Sequence, residues 1–452
     1  MFDINGKNIV VLGLARSGTT IAKILHNLGA RVTVNDVKEE EKCPEKKELQ
    51  AAGIRVICGS HPDNLVDEKI DLVIKNPGIP YKINPIKKAE SLKIPVITEV
   101  ELASQFSKAP IIGITGSNGK TTTTTLIGEI LKEADKSPVV AGNIGTVLSE
   151  KALTVTKEQV LVSELSSFQL KGTVNFRPHI AVLLNIYQAH LDYHQTIEDY
   201  IFSKAKIFQN QTGDDFAVLN ADCERCMKLA ASINSKVYYF SRTKPTERGA
   251  FVGNNKIYYR DDKGIVEIVS LEEIFLRGAP LENALAAIVV SRLYGVDFNQ
   301  IKKVLKSFKG VEHRLEYVLA TKDGVTFYND SKATNPQATI SALTSFDKPV
   351  ILIAGGLDRG IDFAELSEPF KKKVKILITY GQSAEKMNER AKKSGLELYF
   401  TVDNVNDAVK LAYEMSKSGD IVVLSPACAS WDMFSSFEER GRIFKEAVHK
   451  IK

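Results

Sequence analysis

Short apolar runs rich in Val, Ile and Leu alternate along this chain with stretches whose apolar residues recur at helical spacing. Residues 7–12, 31–35 and 71–75 read as strands, with a helix reaching about Leu28 between the first two. Residues 109–115 form a β-branched run of buried-strand type. A glycine-punctuated loop follows at 116–120, and then Leu126, Ile127, Ile130 and Leu131 fall on one helical face. Further strands are predicted at 160–162, 180–184, 216–220 and 237–240, helices at 99–106, 200–208 and 281–293, and a hairpin over 253–268 that turns at 261–264. From 311 onward, strand patterns at 325–329, 350–354, 375–379, 398–400 and 421–424 alternate with helical ones. That alternation predicts a mostly parallel sheet covered by helices.

The fold class is therefore α/β, and the 452 residues suggest about three domains at roughly 150 residues each. The predicted divisions are a Rossmann-like N-terminal domain over 1–98, a central P-loop ATPase-type α/β domain over 99–310, and a C-terminal Rossmann-like α/β domain over 311–452. Composition adds mainly exclusions. A formal charge of +5, with Lys and Arg interspersed among Asp and Glu, gives no nucleic-acid footprint. The basic run 371–373 reads as a solvated helix end. No apolar run has the length of a membrane span and the first residues lack a secretory layout, so a cytoplasmic protein is expected. Five cysteines argue against a disulfide framework. Cys223 and Cys226 form a C-x-x-C without the partners a zinc site needs, and read as two thiols on a helix.

Strand, glycine loop and helix at 109–134 make a phosphate cradle, because glycines let backbone N–H groups face an anion at a helix N-terminus. Gly116-x-x-Gly119-Lys120-Thr121 keeps the P-loop pattern, although Ile114 replaces its first glycine. Lys120 would reach the β- and γ-phosphates and Thr121 would ligate Mg²⁺. Glu164 and His190, each just past a buried strand, are candidates to hold that ion as oxygen and nitrogen ligands. In the first domain the turn 13–18 and Asp36 have the layout of a dinucleotide unit. Ala15 and Arg16 break the glycine fingerprint, which disfavours a nicotinamide dehydrogenase. Asn76, Pro77 and Gly78 form a rigid turn at a strand's C-terminal end, where open α/β sheets bind ligands. Three polar or glycine-rich strand ends, at 330–335, 355–359 and 425–430, suggest a binding edge in the third domain.

The segments TGSNGKTT (115–122), GNIG (142–145), ELSSFQL (164–170), HLDYH (190–194), EHR (312–314), NDSKATNP (329–336) and SPACASWDMF (425–434) resemble the Mur ligases, ATP-dependent amide-forming enzymes of peptidoglycan synthesis. NDSKATNP is similar to the branch that adds D-glutamate, which implies UDP-N-acetylmuramoyl-L-alanine and D-glutamate as substrates. The resemblance implies that Gly116, Ser117, Asn118, Gly119, Lys120, Thr121 and Thr122 hold the ATP phosphates. Asn283, Arg314 and Asp330 would contact the nucleotide. Thr121, Glu164 and His190 would hold two Mg²⁺ ions together with Lys204, whose spacing from Tyr200 matches the family lysine that becomes a carbamate. Lys120, Glu164, His190 and Lys204 are thus the implied catalytic set. The UDP-linked substrate would lie along Leu14, Ala15, Asp36, Asn76, Pro77, Gly78, Asn143 and Ser166. D-glutamate would be held by Lys332, Thr334, Arg359, Ser430, Trp431 and Phe437, with Arg359 and Trp431 standing where Lys and an aliphatic residue are expected. A monomer is implied, with no nucleic-acid or membrane partner.

Other classes predict other features. A P-loop motor or switch GTPase needs a Walker-B-like strand and a guanine-reading motif, and neither is present. A folylpolyglutamate-type ligase shares a related P-loop, but the separate domain ahead of the cradle argues against it. For Lys204 and Lys206 the plain alternative is a solvated helix face.

Overall fold

The computed structural model describes residues 3–451, so the outer domain ends expected at 1 and 452 lie outside the described residues. Its strands gather into three sheets, and the chain divides into two compact units. One holds the residues up to Ile268 together with Leu285–Ile301. The other holds Val269–Ala284 and the residues from Lys302 onward.

In the first unit, β1 (Asn8–Leu12), β2 (Arg31–Asp36), β3 (Arg55–Cys58), β4 (Leu72–Lys75) and β5 (Val96–Ile97) form a parallel sheet in the order β3-β2-β1-β4-β5. Ile9 and Val11 enter one core while Val10 and Leu12 enter another. Both faces are buried, so the strand is apolar throughout rather than alternating. Strand order reverses at β1, and this switch point brings the 13–18 turn, Asp36 and Asn76 to one crevice.

The second sheet contains β6 (Ile111–Thr115), β7 (Pro138–Gly142), β8 (Val160–Glu164), β9 (Ile180–Leu183) and β10 (Phe216–Asn220). It continues through β11 (Lys236–Ser241), β12 (Gly249–Gly253), β13 (Lys256–Asp261) and β14 (Gly264–Ser270). The order β14-β13-β12-β11-β10-β9-β6-β8-β7 puts β6 between β8 and β9, with Ile114 opposite Glu164 and Thr115 opposite Leu183. The residues ending these strands therefore surround the phosphate loop. β7 lacks a strand pattern in the sequence because it is an edge strand opened by proline and only partly buried. The hairpin expected at 253–268 is one part of a longer run, since β12 also pairs antiparallel with β13.

The helix Glu99–Phe106 joins the two sheets. Leu102 packs into the first sheet's core, while Val100 and Ala103 pack into the second's. Its buried Glu101 accepts backbone N–H bonds from Val174, Asn175 and Phe176 at 2.8–3.1 Å, and Glu99 accepts one from Ser149 at 3.0 Å. Backbone N–H bonds to a carboxylate such as those at Glu101 are the strong, charge-assisted kind, whereas burial raises the Glu99 carboxyl against its bond from Ser149. The helix expected at 200–208 runs over Ile197–Ala205 and tightens into a 3₁₀ turn at Lys206–Phe208. Thr196 caps it by accepting from the Asp199 N–H.

In the second unit, β15 (Glu316–Ala320), β16 (Thr326–Asn329), β17 (Val350–Gly355), β18 (Val374–Tyr380), β19 (Tyr399–Thr401) and β20 (Ile421–Leu424) lie in the order β15-β16-β20-β17-β18-β19. All pairs are parallel except β15 with β16. The ends of β16, β20 and β17 are neighbours, which gathers the three polar strand ends at one edge. All five cysteines are free thiols, and Cys226 is buried in the core of the second sheet. No helix among the described residues is long and apolar enough to cross a membrane.

Candidate active site

The phosphate loop leaves β6 at Gly116, where a Cβ would come within 2.9 Å of Leu184. It enters the helix Lys120–Glu133 through Gly119, whose φ of +85° is the left-handed conformation glycine adopts without strain. No side chain caps that helix, so its first N–H groups face outward as an anion seat. Asn185 fixes the loop from the end of β9. Its Oδ1 accepts from Asn118 N at 2.8 Å and its carbonyl accepts from Ser117 N at 3.0 Å. Ser117 Oγ also lies 3.0 Å from Tyr200 Oη. Lys120 Nζ lies along the loop, donating to Gly116 O at 2.9 Å and Ser117 O at 3.0 Å.

Thr121 Oγ1 donates to Glu164 Oε2 at 2.8 Å, and Asn143 Nδ2 donates to Glu164 Oε1 at 2.7 Å. Asn143, expected along the UDP-linked substrate, is therefore bonded to the candidate metal carboxylate. Among the described residues no group of three or more His, Cys, Asp and Glu side chains converges as an all-protein metal site would. The donor set fits Mg²⁺, which takes one or two carboxylates and fills its octahedron with phosphate oxygens and water. His190 has a left-handed backbone (φ +56°) at the start of the short helix Leu191–His194. Burial, and then the nearby Lys204, lower its pKa against the charge of Asp192, a shift toward the neutral imidazole that a nitrogen ligand requires.

Lys204 is only 1% exposed, which overturns the solvated-face alternative for this residue. Its Nζ donates to Gly116 O at 2.9 Å and sits 4.7 Å from the centre of the Tyr200 ring. Burial, and then the charge of Lys120, hold its pKa well below the usual lysine value. Lys206, two residues on, is part-buried and donates to Lys171 O at 3.0 Å.

In the first sheet, Leu14 N donates to Asp36 Oδ2 at 2.7 Å and Asn76 N to Leu12 O at 2.9 Å, joining the three segments around the crevice. Ala15 begins the helix Arg16–Asn27, again without a side-chain cap. The turn at Pro77 and Gly78 is tied to the second sheet by Tyr193, whose Oη donates to Pro77 O at 3.1 Å. Lys75, at the end of β4, donates to both Pro77 O and Tyr193 Oη at 3.0 Å. It is buried, and desolvation followed by the charge of Lys171 lowers its pKa to about 7. Neither Lys75 nor Tyr193 stood out in the sequence, although a lysine ending an otherwise apolar strand was a usable signal. Ser166 Oγ is engaged in a capping box with Gln169 at the start of the helix Ser167–Lys171.

In the second unit, Asp330 follows β16 and accepts from Ser425 Oγ at 2.9 Å and Leu315 N at 3.1 Å. Burial raises its carboxyl to about 7, against those bonds and the charge of Arg314. Asn283 is buried on the helix Gly278–Leu293. Lys332 Nζ lies 3.9 Å from the centre of the Phe437 ring, and Thr334 N donates to Lys332 O at 2.8 Å. Ser430 is buried, whereas Trp431 is exposed with the Arg359 guanidinium 5.0 Å from its ring centre. The two departures from the family pattern thus contact each other.

Known proteins resemble this chain along nearly its whole length. Residues 7–98 match the profile described as Mur ligase MurD-like, N-terminal domain. Residues 114–291 match the Mur ligase middle domain, and 313–428 the Mur ligase, glutamate ligase domain. The chain is 54% identical over 448 residues to a UDP-N-acetylmuramoylalanine–D-glutamate ligase of Geobacillus sp. (strain WCH70), covering 99% of this chain and 98% of that protein. It is 50% identical over 450 residues to the protein of the same name from Bacillus cereus (strain G9842), covering 99% of each. Among solved structures it resembles the MurF ligase of Thermotoga maritima in complex with ADP, at 18% identity and a TM-score of 0.56 over the full length of both chains. The UDP-N-acetylmuramate-alanine ligase of the same organism gives 20% identity and a TM-score of 0.56, covering 98% of this chain and 100% of that one.

Proposed function

This chain belongs to the Mur ligase family, and from that premise we propose what its site does. It joins D-glutamate to UDP-N-acetylmuramoyl-L-alanine at the expense of ATP, in the synthesis of peptidoglycan precursors. The observation that carries the reading is the Thr121–Glu164–Asn143 cluster beside the Lys120 loop, in a chain matched end to end by ligases of that name.

A carboxylate is a poor acyl donor. An oxygen of the alanyl carboxylate attacks the γ-phosphorus of ATP, the bond to the ADP oxygen breaks, and an acyl phosphate forms. Lys120 and the uncapped helix N-terminus neutralise the migrating phosphoryl group. Thr121, Glu164 and His190 would hold Mg²⁺, which supplies charge neutralisation on the phosphate oxygens. The D-glutamate nitrogen then attacks the acyl carbon, the C–O bond to phosphate breaks, and the nitrogen loses a proton as the amide forms. Lys332, Thr334, Arg359, Ser430, Trp431 and Phe437 hold the amino acid, with Arg359 suited to a bidentate carboxylate contact. Asn283, Arg314 and Asp330 contact the nucleotide. Leu14, Ala15, Asp36, Asn76, Pro77, Gly78, Asn143 and Ser166 follow the UDP-linked substrate.

Lys204 is the residue whose amine becomes a carbamate. Its Nζ lone pair attacks the carbon of CO₂, an N–C bond forms as one C=O π bond opens, and the nitrogen gives up a proton. The reaction needs a neutral amine, and the burial of Lys204 beside Lys120 favours that form. The product anion would hold a second Mg²⁺, for which an ammonium is unsuited. The enzyme acts as a monomer in the cytoplasm, without nucleic-acid or membrane partners.

The test is ADP release with UDP-N-acetylmuramoyl-L-alanine and a panel of amino acids. D-glutamate alone should support turnover. Equal rates with L-alanine or a diamino acid would overturn the assignment.

A further inference from the structure

Arg440 lies in the helix Phe437–Lys450 and is fully buried, the largest such side chain in the described residues. A buried guanidinium ordinarily needs a carboxylate to offset its lost hydration. Among the described residues the hydrogen bonds of Arg440 go to neutral oxygens, and the buried Asp330 carboxyl is the acid that feels its charge. Its Nε donates to Ser331 Oγ at 3.0 Å, Nη2 to Ser331 O at 2.8 Å and Cys428 O at 3.1 Å, and Nη1 to Gly355 O at 3.5 Å. These acceptors belong to three separate segments, at the C-terminal ends of the adjacent parallel strands β16, β17 and β20.

Each acceptor lies within four positions of a residue assigned above to D-glutamate. Ser331 precedes Lys332, Gly355 opens the loop to Arg359, and Cys428 is two residues before Ser430. Ser331 Oγ in turn donates to Phe437 O at 2.7 Å, closing the circuit at the first residue of the helix that carries Arg440. Only a planar fork with five donors can span such a set, because an ammonium would reach one or two of the acceptors. The loops leave little slack of their own. A Cβ on Gly356 would come within 2.4 Å of Ala429 O and 3.2 Å of Arg440 Nη1.

We propose that Arg440 is a positioning residue for the amino-acid substrate, setting the spacing of the three strand-end loops that grip it. It touches no reacting atom; it acts through Lys332, Arg359, Ser430 and Phe437. The inference rests on the assignment of D-glutamate to these loops, so the two must be tested separately.

Full-length wild type is first assayed on the amino-acid panel, which decides the substrate independently of Arg440. For whichever amino acid the wild type uses, Arg440→Lys should raise its KM at least tenfold. The KM values for ATP and the UDP-linked substrate should stay within twofold. Arg440→Met should be worse than Arg440→Lys in that parameter alone. Ser331→Ala, which removes one acceptor without a buried charge, should raise the same KM severalfold, and it decides the matter if the Arg440 variants do not fold. An unchanged amino-acid KM in Ser331→Ala and in folded Arg440→Lys would overturn the proposal. So would equal rises in all three KM values, which a general loss of structure would give.

Discussion

Lys75 can be tested through its charge. Its side chain is 1% exposed, and its fall from 10.5 to about 7 corresponds to about 5 kcal/mol of penalty for carrying the charge in the native state. Because the native pKa lies below the unfolded one, the unfolded chain binds more protons between pH 7 and 10.5. Stability therefore rises with pH across that window, and the full cost is borne below pH 7. Lys75→Met keeps the length of the side chain and removes the titration. It also removes the donor to Pro77 O and Tyr193 Oη, at a cost of about 1–3 kcal/mol that does not vary with pH. Below pH 7 the variant should be the more stable of the two, and its advantage should shrink by about 1.4 kcal/mol between pH 6 and 8. Hydrogen exchange of the β4 amides, compared at each pH so that intrinsic rates cancel, reads this directly. The ratio of protection factors, variant over wild type, should drop about tenfold over that interval. A ratio that does not change with pH would refute the argument that Lys75 is a desolvated, titrating amine.

Lys120→Ala should abolish nearly all turnover at saturating ATP while leaving the thermal midpoint close to wild type; near-normal kcat would remove the P-loop assignment. Arg359→Ala should raise the KM for D-glutamate far more than that for ATP. A double-mutant cycle of Arg359→Lys with Trp431→Leu should show coupling of about 0.5–1 kcal/mol in kcat/KM for D-glutamate, the scale of an exposed cation–π pair; strict additivity would mean the contact has no role there. Lys204→Ala should be almost inactive and partly rescued by a small carboxylic acid, with Lys206→Ala near normal. Full activity of Lys204→Ala in CO₂-depleted buffer would exclude the carbamate.

What the sequence revealed was local. The cradle at 111–133 could be read because β-branched residues, glycines and a helical stripe follow one another within a single segment. The strand ends of the second unit could be read for the same reason. Arg440 could not, and Lys75 offered only the local hint of a lysine ending an apolar strand, because the burial of both is decided by distant residues. Tyr193 lies 118 positions from Lys75 in the chain, and Ser331 lies 109 from Arg440. The close relation of Asn143 to Glu164 depends on β7 pairing with β8, and the proline opening β7 conceals that strand. Arg359 and Trp431 read as two separate departures, and only their contact gives them a common physical account.

The helix Glu99–Phe106 has a consequence for how such a chain can change over time. Leu102 belongs to one core, Val100 and Ala103 belong to another, and Glu101 holds three consecutive backbone N–H groups of the second. A recombination seam just before or just after the helix would separate an apolar face, or a buried carboxylate, from the surface that completes it. A graft of the first sheet between relatives would have to bring a helix compatible with both neighbours. The first two sheets are therefore bound to a shared inheritance, with this helix as the segment where incompatibility would show first.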